Sequence, residues 1–164
     1  NSKESDQRKV TISNKTCLPQ IDVSSSPRSK LNRVRILQSK SDNGDAEAQY
    51  SLGVCYSHGE GVSIDKEKAL QYYLMSAEQG YRSALYSAAS CYSYGIGTEI
   101  NKEKAFEFYL RAAEKGFDKA QFAVGHFYEF GQGGVEKSHE KAVEWYQKAA
   151  KQGHKGSIQA LNFK

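Results

Sequence analysis

Apolar side chains recur at helical spacing in two stretches of a 36-residue unit that repeats along this chain. Steps of three and four residues place side chains on one face of an α-helix, so each stretch is predicted to be an amphipathic helix. The apolar positions over residues 44–79 are Ala48, Leu52, Cys55 and Tyr56 in the first stretch and Ala69, Leu70, Tyr73 and Ala77 in the second. Each unit is therefore predicted to be a pair of antiparallel helices.

The unit occurs three times in register. The copies span residues 44–79, 80–115 and 116–152, the last one residue longer in its middle loop, and a partial copy covers residues 153–164. A period in this range is typical of stacked-repeat proteins, in which each unit buries its apolar face against its neighbours. We therefore predict an all-α solenoid of antiparallel helix-turn-helix repeats, right-handed by analogy with other arrays of this kind.

Glycines and short polar residues mark where the predicted helices end and begin. Two glycines separated by one residue divide the helices of each unit, and the first can end a helix because it adopts the left-handed conformation without a side-chain clash. These first glycines are Gly59, Gly95 and Gly131. The residues one position before the second helix, predicted to cap its free amides, are Asp65, Asn101 and Ser138.

One position of the first helix carries only small residues, which are Gly53, Ala89 and Gly125. A minimal side chain there is predicted to let the paired helices approach closely. Cys55 and Cys91 share another position and are predicted to be small core residues. Neighbouring stacked helices lie about 8–10 Å apart, too far for the roughly 4.4–6.8 Å between the Cα atoms of a disulfide. The cysteine usage therefore favours a reducing compartment.

The repeated motif resembles the Sel-1-like repeat, a relative of the tetratricopeptide repeat. The shared pattern is A-x-x-x-L-G-x-x-Y-x-x-G-x-G, followed after a polar loop by A-x-x-[WFY]-Y-x-x-A-A-x-x-G. The second unit departs from it with Ala88 and Ala89 in place of Leu and Gly. The resemblance covers residues 44–164, and it implies an adaptor or scaffold of the kind found in signalling and protein quality control.

The leading hypothesis is a non-enzymatic scaffold that binds a protein or peptide partner and needs no cofactor. The resemblance leaves two alternatives open. Similar repeats accompany kinase domains in some organisms, so the chain could be the adaptor region of a larger signalling enzyme, although it carries no kinase motif. A few secreted relatives have been linked to β-lactam binding, but this chain lacks their cysteine pairs and any nucleophile signature.

The sequence carries no specific catalytic or metal-binding motif, which favours the non-enzymatic hypothesis. The segment 131–138 ends in Lys-Ser like a phosphate loop, but Glu136 stands where that motif needs glycine. The histidines are not spaced as metal ligands and are interpreted as solvated or partly packed: His58, His126, His139 and His154. We therefore predict no catalytic, cofactor or metal-binding residue.

A stripe on the side of the first helix opposite the core is the candidate binding surface. In related helical-hairpin arrays this stripe lines the concave surface. The side chains predicted to contact a partner are Val54, His58, Ser90, Tyr94, His126 and Phe130. Tyr50, Tyr86 and Phe122 belong to the same stripe, and we interpret them as structural rings wedged between neighbouring repeats.

Residues 1–43 differ sharply in composition from the repeats. They contain no aromatic residue, nine serines, and nine Lys or Arg against four Asp or Glu, so the net charge of +4 originates in this segment. We expect a largely disordered basic tail, because so few apolar side chains cannot offset the entropy of ordering. A basic helix over residues 31–40 that caps the open end of the stack is the alternative.

The remaining expectations concern partners and location. The tail's charges are scattered without interleaved aromatics, so we predict no nucleic-acid partner. No stretch approaches the roughly 18 apolar residues of a membrane span. We predict a monomeric array in the cytoplasm. The chain begins with Asn1 and is expected to be a fragment, which leaves the ER lumen and secretion open.

Overall fold

The computed structural model describes residues 26–162. Within this range the chain forms eight α-helices, and each helix packs against the next one along the chain. Their bounds are α1 Pro27–Asp42, α2 Ala46–His58, α3 Lys66–Glu78, α4 Arg82–Tyr94, α5 Lys102–Glu114, α6 Asp118–Phe130, α7 His139–Lys151 and α8 Lys155–Asn162. The pairs α2–α3, α4–α5 and α6–α7 are the predicted hairpins of the first, second and third repeats, so the all-helical solenoid is confirmed.

The predicted helix boundaries are confirmed at both ends of the loops. The side chains of Asp65, Asn101 and Ser138 accept hydrogen bonds from the backbone amides of Lys68, Lys104 and Lys141 over 2.9, 2.8 and 3.3 Å. The glycines that end the first helices, Gly59, Gly95 and Gly131, have φ values of 74°, 68° and 62°. Local backbone chemistry therefore fixes where each hairpin turns.

The second glycine of each loop seats its repeat on the preceding one. A Cβ atom at Gly61 would lie 2.6 Å from the carbonyl oxygen of Lys30, and one at Gly133 would lie 2.7 Å from that of Lys102. The backbone at Gly97 meets the carbonyl of Lys66 in the same way. No side chain fits in this contact, so glycine is required there for space as well as for its positive φ.

Close approach of the paired helices is centred on one tyrosine in each second helix. A Cβ atom at Gly53 would lie 2.5 Å from the ring of Tyr73, and one at Gly125 would lie 2.6 Å from the ring of Tyr146. Both tyrosines are buried. The tyrosine ring therefore occupies the volume that a larger first-helix side chain would need, as the small residues predicted.

The three rings interpreted as wedges do lie between repeats. Tyr50 contacts Tyr73 of its own repeat and Tyr81 of the next, with ring centroids 5.8 and 5.3 Å apart. The equivalent contacts join Tyr86 to Tyr109 and Phe117 at 5.4 and 5.2 Å, and Phe122 to Tyr146 and His154 at 5.5 and 4.8 Å. A continuous row of rings thus links every repeat to its successor.

Cys55 and Cys91 are free and buried, as predicted for small core residues. Burial raises the pKa of the Cys91 thiol to about 11, so this thiol stays protonated at neutral pH. Cys17 lies outside the described residues. Across residues 26–162, no helix combines the length and the apolar character that a bilayer crossing requires.

Pro27–Asp42 is helical, which departs from the predicted disordered tail in this part of the segment. The rest of that prediction, over residues 1–25, lies outside the described residues. This helix includes the alternative capping helix over residues 31–40 and begins one turn earlier. Ser26 caps it by accepting a hydrogen bond from the amide of Ser29 at 3.2 Å. Val34 is only 8% exposed and packs with Leu52 and Cys55 of the first repeat. Packing against the array therefore orders a segment whose own composition disfavours folding.

Replacing Val34 with Asp is expected to destabilise the protein by about 2 kcal/mol or more, because an unpaired carboxylate would be forced into an apolar cluster. Thermal unfolding of the full chain followed by circular dichroism measures the change. Ile36→Asp is the matched control, since Ile36 lies on the same helix and is 59% exposed. Equal melting temperatures for Val34→Asp and the wild type would show that α1 adds nothing to stability.

Gly125→Leu is expected to destabilise the third repeat by about 1–3 kcal/mol, the usual cost of overpacking a tight site. Gly125→Ala should cost less, because the second repeat tolerates Ala89 at the same position. Urea unfolding of each variant gives the difference in free energy. Gln147→Leu on the exposed side of α7 serves as the control. An unchanged unfolding midpoint for Gly125→Leu would contradict the close contact with Tyr146.

Candidate partner-binding site

A cleft of about 380 Å³ opens between the second and third repeats. Its floor is aromatic: Tyr109 and Phe127 are each 4% exposed, and Tyr86 and Phe122 are half-buried. The residues that complete its lining are Ser93, Tyr94, Lys102, Lys119, Ala123, His126 and Gln132. The cleft therefore combines apolar walls with a few polar groups, the usual character of a ligand-binding pocket.

Tyr94 and Lys102 form one side of this cleft. Tyr94 ends α4 and is 70% exposed, the largest exposed fraction among the big apolar side chains of the described range. The Lys102 ammonium donates hydrogen bonds to the carbonyl oxygen and the hydroxyl of Ser93 at 2.8 and 2.9 Å. It lies 5.5 Å from the centroid of the Tyr94 ring. A cation at the carboxyl end of a helix is favourable, so this arrangement also stabilises α4.

His126 lines the cleft from the third repeat, and Phe130 packs against His126 beside the cleft. Their ring centroids are 4.5 Å apart, and Phe130 is 57% exposed. Partial burial lowers the pKa of His126, and the charge of Lys102 acts in the same direction, whereas the carboxylate of Glu129 opposes them. The imidazole is therefore mostly neutral at pH 7.

The structure brings together only part of the predicted binding stripe. Tyr94 and His126 line the cleft, and Phe130 lies beside it against His126. The Ser90 hydroxyl is used internally, since it bonds the carbonyl of Tyr86 and lies 3.0 Å from the Tyr109 hydroxyl. These contacts make Ser90 a support for the cleft floor.

The two predicted residues of the first repeat lie on α2, away from this cleft. Val54 is half-buried and packs against the core, and its carbonyl accepts a hydrogen bond from the His58 ring at 3.0 Å. Whether these side chains contact a partner stays a prediction.

The sequence interpretation missed Lys102, because it starts a second helix while the search followed the first helices. Its neighbourhood depends on how the start of α5 meets the end of α4. A signal was nevertheless present in the sequence, because Lys66 follows its helix cap as Lys102 does. In the structure the Lys66 ammonium donates hydrogen bonds to Ser57 in the same way, at 2.6 Å to the carbonyl oxygen and 3.3 Å to the hydroxyl. A lysine directly after the cap thus reaches the end of the preceding helix.

Comparison with family models gives matches over residues 46–81, 82–117 and 118–154, each to the model of the Sel1 repeat. The chain belongs to the Sel1 repeat family. The matched boundaries begin two residues after those read from the sequence, and the resemblance is confirmed. Sel1 repeats generally act as scaffolds for protein–protein interactions.

Solved structures of other Sel1 repeat proteins share this fold. A Sel1 repeat protein from Oxalobacter formigenes is 35% identical, with a TM-score of 0.75, over 80% of this chain and 98% of that one. The protective antigen c5321 of uropathogenic Escherichia coli is 29% identical, with a TM-score of 0.77, over 85% of this chain and 33% of that one. Cysteine rich protein B of Helicobacter pylori is 19% identical over 84% and 98%, with a TM-score of 0.64, which shows the fold alone. Comparison with curated protein sequences gave no significant match.

The titration of His126 reports on the cleft. Its pKa is expected below the ordinary value of 6.5, because burial disfavours the imidazolium. Glu129→Gln should lower the pKa further, and Lys102→Gln should raise it. The pKa of His126 is lower in the folded protein than in the unfolded chain. The contribution of neutral His126 to the stability of the fold is therefore present above about pH 6.5, and it declines as the pH falls towards the folded pKa. Two-dimensional NMR of the histidine ring protons measures all three midpoints, and a wild-type midpoint above 6.5 would contradict this environment.

Proposed function

We propose that this Sel1 repeat protein is a non-enzymatic scaffold that binds a peptide segment of a partner protein along its first helices. The cleft between the second and third repeats is the anchoring point, and in related arrays this surface is concave. The observation that carries the proposal is the exposed ring of Tyr94 in the lining of a cleft with an aromatic floor, with the exposed ring of Phe130 beside the cleft against His126. Large aromatic side chains next to a pocket are the groups that most often dominate binding energy.

The hydrolase alternative from the sequence has less support. The Ser93 hydroxyl and the Lys102 ammonium form a pair that could suggest a nucleophile and its base, which a hydrolase would need. Ser93 is only 5% exposed, however, and Ser57 and Lys66 repeat the same pair in the first repeat. The pair is therefore better explained as a helix-end contact. An adaptor role within a larger signalling enzyme is compatible with the proposed scaffold and needs the same binding surface.

The cellular setting is part of the proposal. The free, buried thiols of Cys55 and Cys91 support a reducing compartment, and we place the protein in the cytoplasm on that basis. A monomeric array is the simplest state for an open binding surface and stays a prediction.

Truncating Tyr94 and Phe130 together to Ala is expected to weaken partner binding by about 2 kcal/mol or more. Partners captured by the full chain would be identified first, and the affinity of one purified partner would then be measured by calorimetry beside thermal stability. Stability should fall by less than in Gly125→Leu, since both rings are exposed.

The matched control for this test is Ile64→Ala with Met75→Ala, which removes exposed apolar side chains of the first repeat outside the cleft. This control should leave the affinity unchanged. Retained affinity together with a large loss of stability in the Tyr94 and Phe130 variant would show that these rings are structural, and the proposed surface would be wrong.

A further inference from the structure

We propose that the peptide held in the cleft between the second and third repeats is acidic. In this peptide one large apolar side chain enters the cleft, and neighbouring Asp or Glu residues face Lys119 and Lys102. The inference rests on the proposed scaffold function and names the chemistry of its partner.

The charged side chains that line the cleft favour an anionic segment. Lys102 and Lys119 are its charged lining residues, and no Asp or Glu of the described range contributes to the lining. Lys119 is exposed and forms no hydrogen bond or ion pair within residues 26–162, so an incoming carboxylate need not displace an internal partner. Lys102 uses two of its three N–H groups on Ser93 and keeps one.

Two carboxylates, Glu129 and Asp118, act on cleft residues without lining the cleft. Glu129 accepts a hydrogen bond from the buried Tyr146 hydroxyl at 2.6 Å, and its charge also acts on His126. Asp118 stands in the first turn of α6, where the helix dipole stabilises an acid, and it is not part of the cleft lining. Glu129 therefore offsets part of the positive charge at His126, and Lys102 and Lys119 remain the charged side chains that line the cleft.

The shape of the cleft explains the apolar part of the expected peptide. Its volume of about 380 Å³ is near the lower end of the roughly 300–1,000 Å³ typical of ligand pockets. Such a space accepts one large side chain and not a whole helix. The aromatic floor of Tyr109 and Phe127 can stack on an aromatic or aliphatic side chain.

The junction between the first and second repeats provides an internal comparison. At the positions of Lys119 and His126 the second repeat has Ser83 and Ser90. Lys66 corresponds to Lys102 at this junction, but no lysine corresponds to Lys119. In the first repeat the Lys119 position is occupied by Glu47. The pair of lysines is thus specific to the junction between the second and third repeats and is not part of the repeated frame.

Two fluorescein-labelled peptides of equal length test the inference. Both carry one central Trp; one flanks it with Glu and Asp, and the other with Gln and Asn. Binding to the full chain is measured by fluorescence anisotropy at low and at raised salt. We expect the acidic peptide to bind about tenfold more tightly at low salt, with the advantage shrinking as salt screens the charges.

The decisive variant is Lys119→Ser, which installs the residue type of the second repeat. It should remove most of the advantage of the acidic peptide, because the affinity of the acidic peptide falls much more than that of the neutral peptide. Lys151→Ser, an exposed lysine on α7 outside the cleft, is the charge-matched control and should behave as the wild type. Circular dichroism melts of both variants confirm that each one is folded.

The possible outcomes separate the inference from the proposed function. Equal affinity for the two peptides would overturn the acidic assignment, and it would leave a peptide-binding scaffold standing if binding still depends on Tyr94 and Phe130. If neither peptide binds at about 1 mM, the free energy of binding is weaker than about −4.1 kcal/mol. That result would overturn both the inference and the cleft as an anchoring point. A single-stranded thymidine oligonucleotide tests for a general polyanion site. If it binds as tightly as the acidic peptide, and if its binding is lost in Lys119→Ser but not in Tyr94→Ala, the site recognises polyanions in general and the inference is overturned.

Discussion

The contact between the tyrosine ring of each second helix and the small residue opposite it on the first helix is the constraint on which the array depends. With only Gly or Ala at that position, the ring lies close to the neighbouring backbone. Its outer edge then meets the wedge ring at the junction with the next repeat, and its hydroxyl reaches the first-helix surface. In the second repeat this hydroxyl, on Tyr109, meets Ser90 beside the cleft. One ring therefore connects the packing of a hairpin, the spacing of neighbouring repeats and the floor of the candidate site.

The largest changes in charge and polarity among the positions of the candidate surface fall where this frame leaves the side chain free. The position of Lys119 holds Glu in the first repeat and Ser in the second, and the position of Phe130 holds His and Tyr. None of these changes touches the helix caps or the tyrosine contact. Repeats with nearly the same backbone thus present different chemistry at successive junctions, which suits a scaffold that recognises one partner by a combination of local surfaces.

The sequence predicted the features that depend on residues close together in the chain. The repeat period, the hairpins, the glycine ends and the caps at Asp65, Asn101 and Ser138 follow from spacing and local hydrogen bonding, and the structure confirms them. The helix from Pro27 to Asp42 was only an alternative, because its stability depends on contacts of Val34 with a separate repeat. The cleft itself was not predicted, because it depends on contacts between residues far apart in the chain. Tyr94 and His126 belong to the periodic stripe, whereas Lys102 reaches the cleft from a second helix through a tertiary contact.

The seating of each glycine loop on the preceding second helix gives the array a direction. The carbonyl of Lys30 receives the loop at Gly61, that of Lys66 receives Gly97, and that of Lys102 receives Gly133. In every case the receiving helix precedes the loop in the chain. During synthesis from the amino end, each new hairpin therefore emerges onto a surface that has already been made, and the array can grow on the ribosome one repeat at a time without waiting for its carboxyl end.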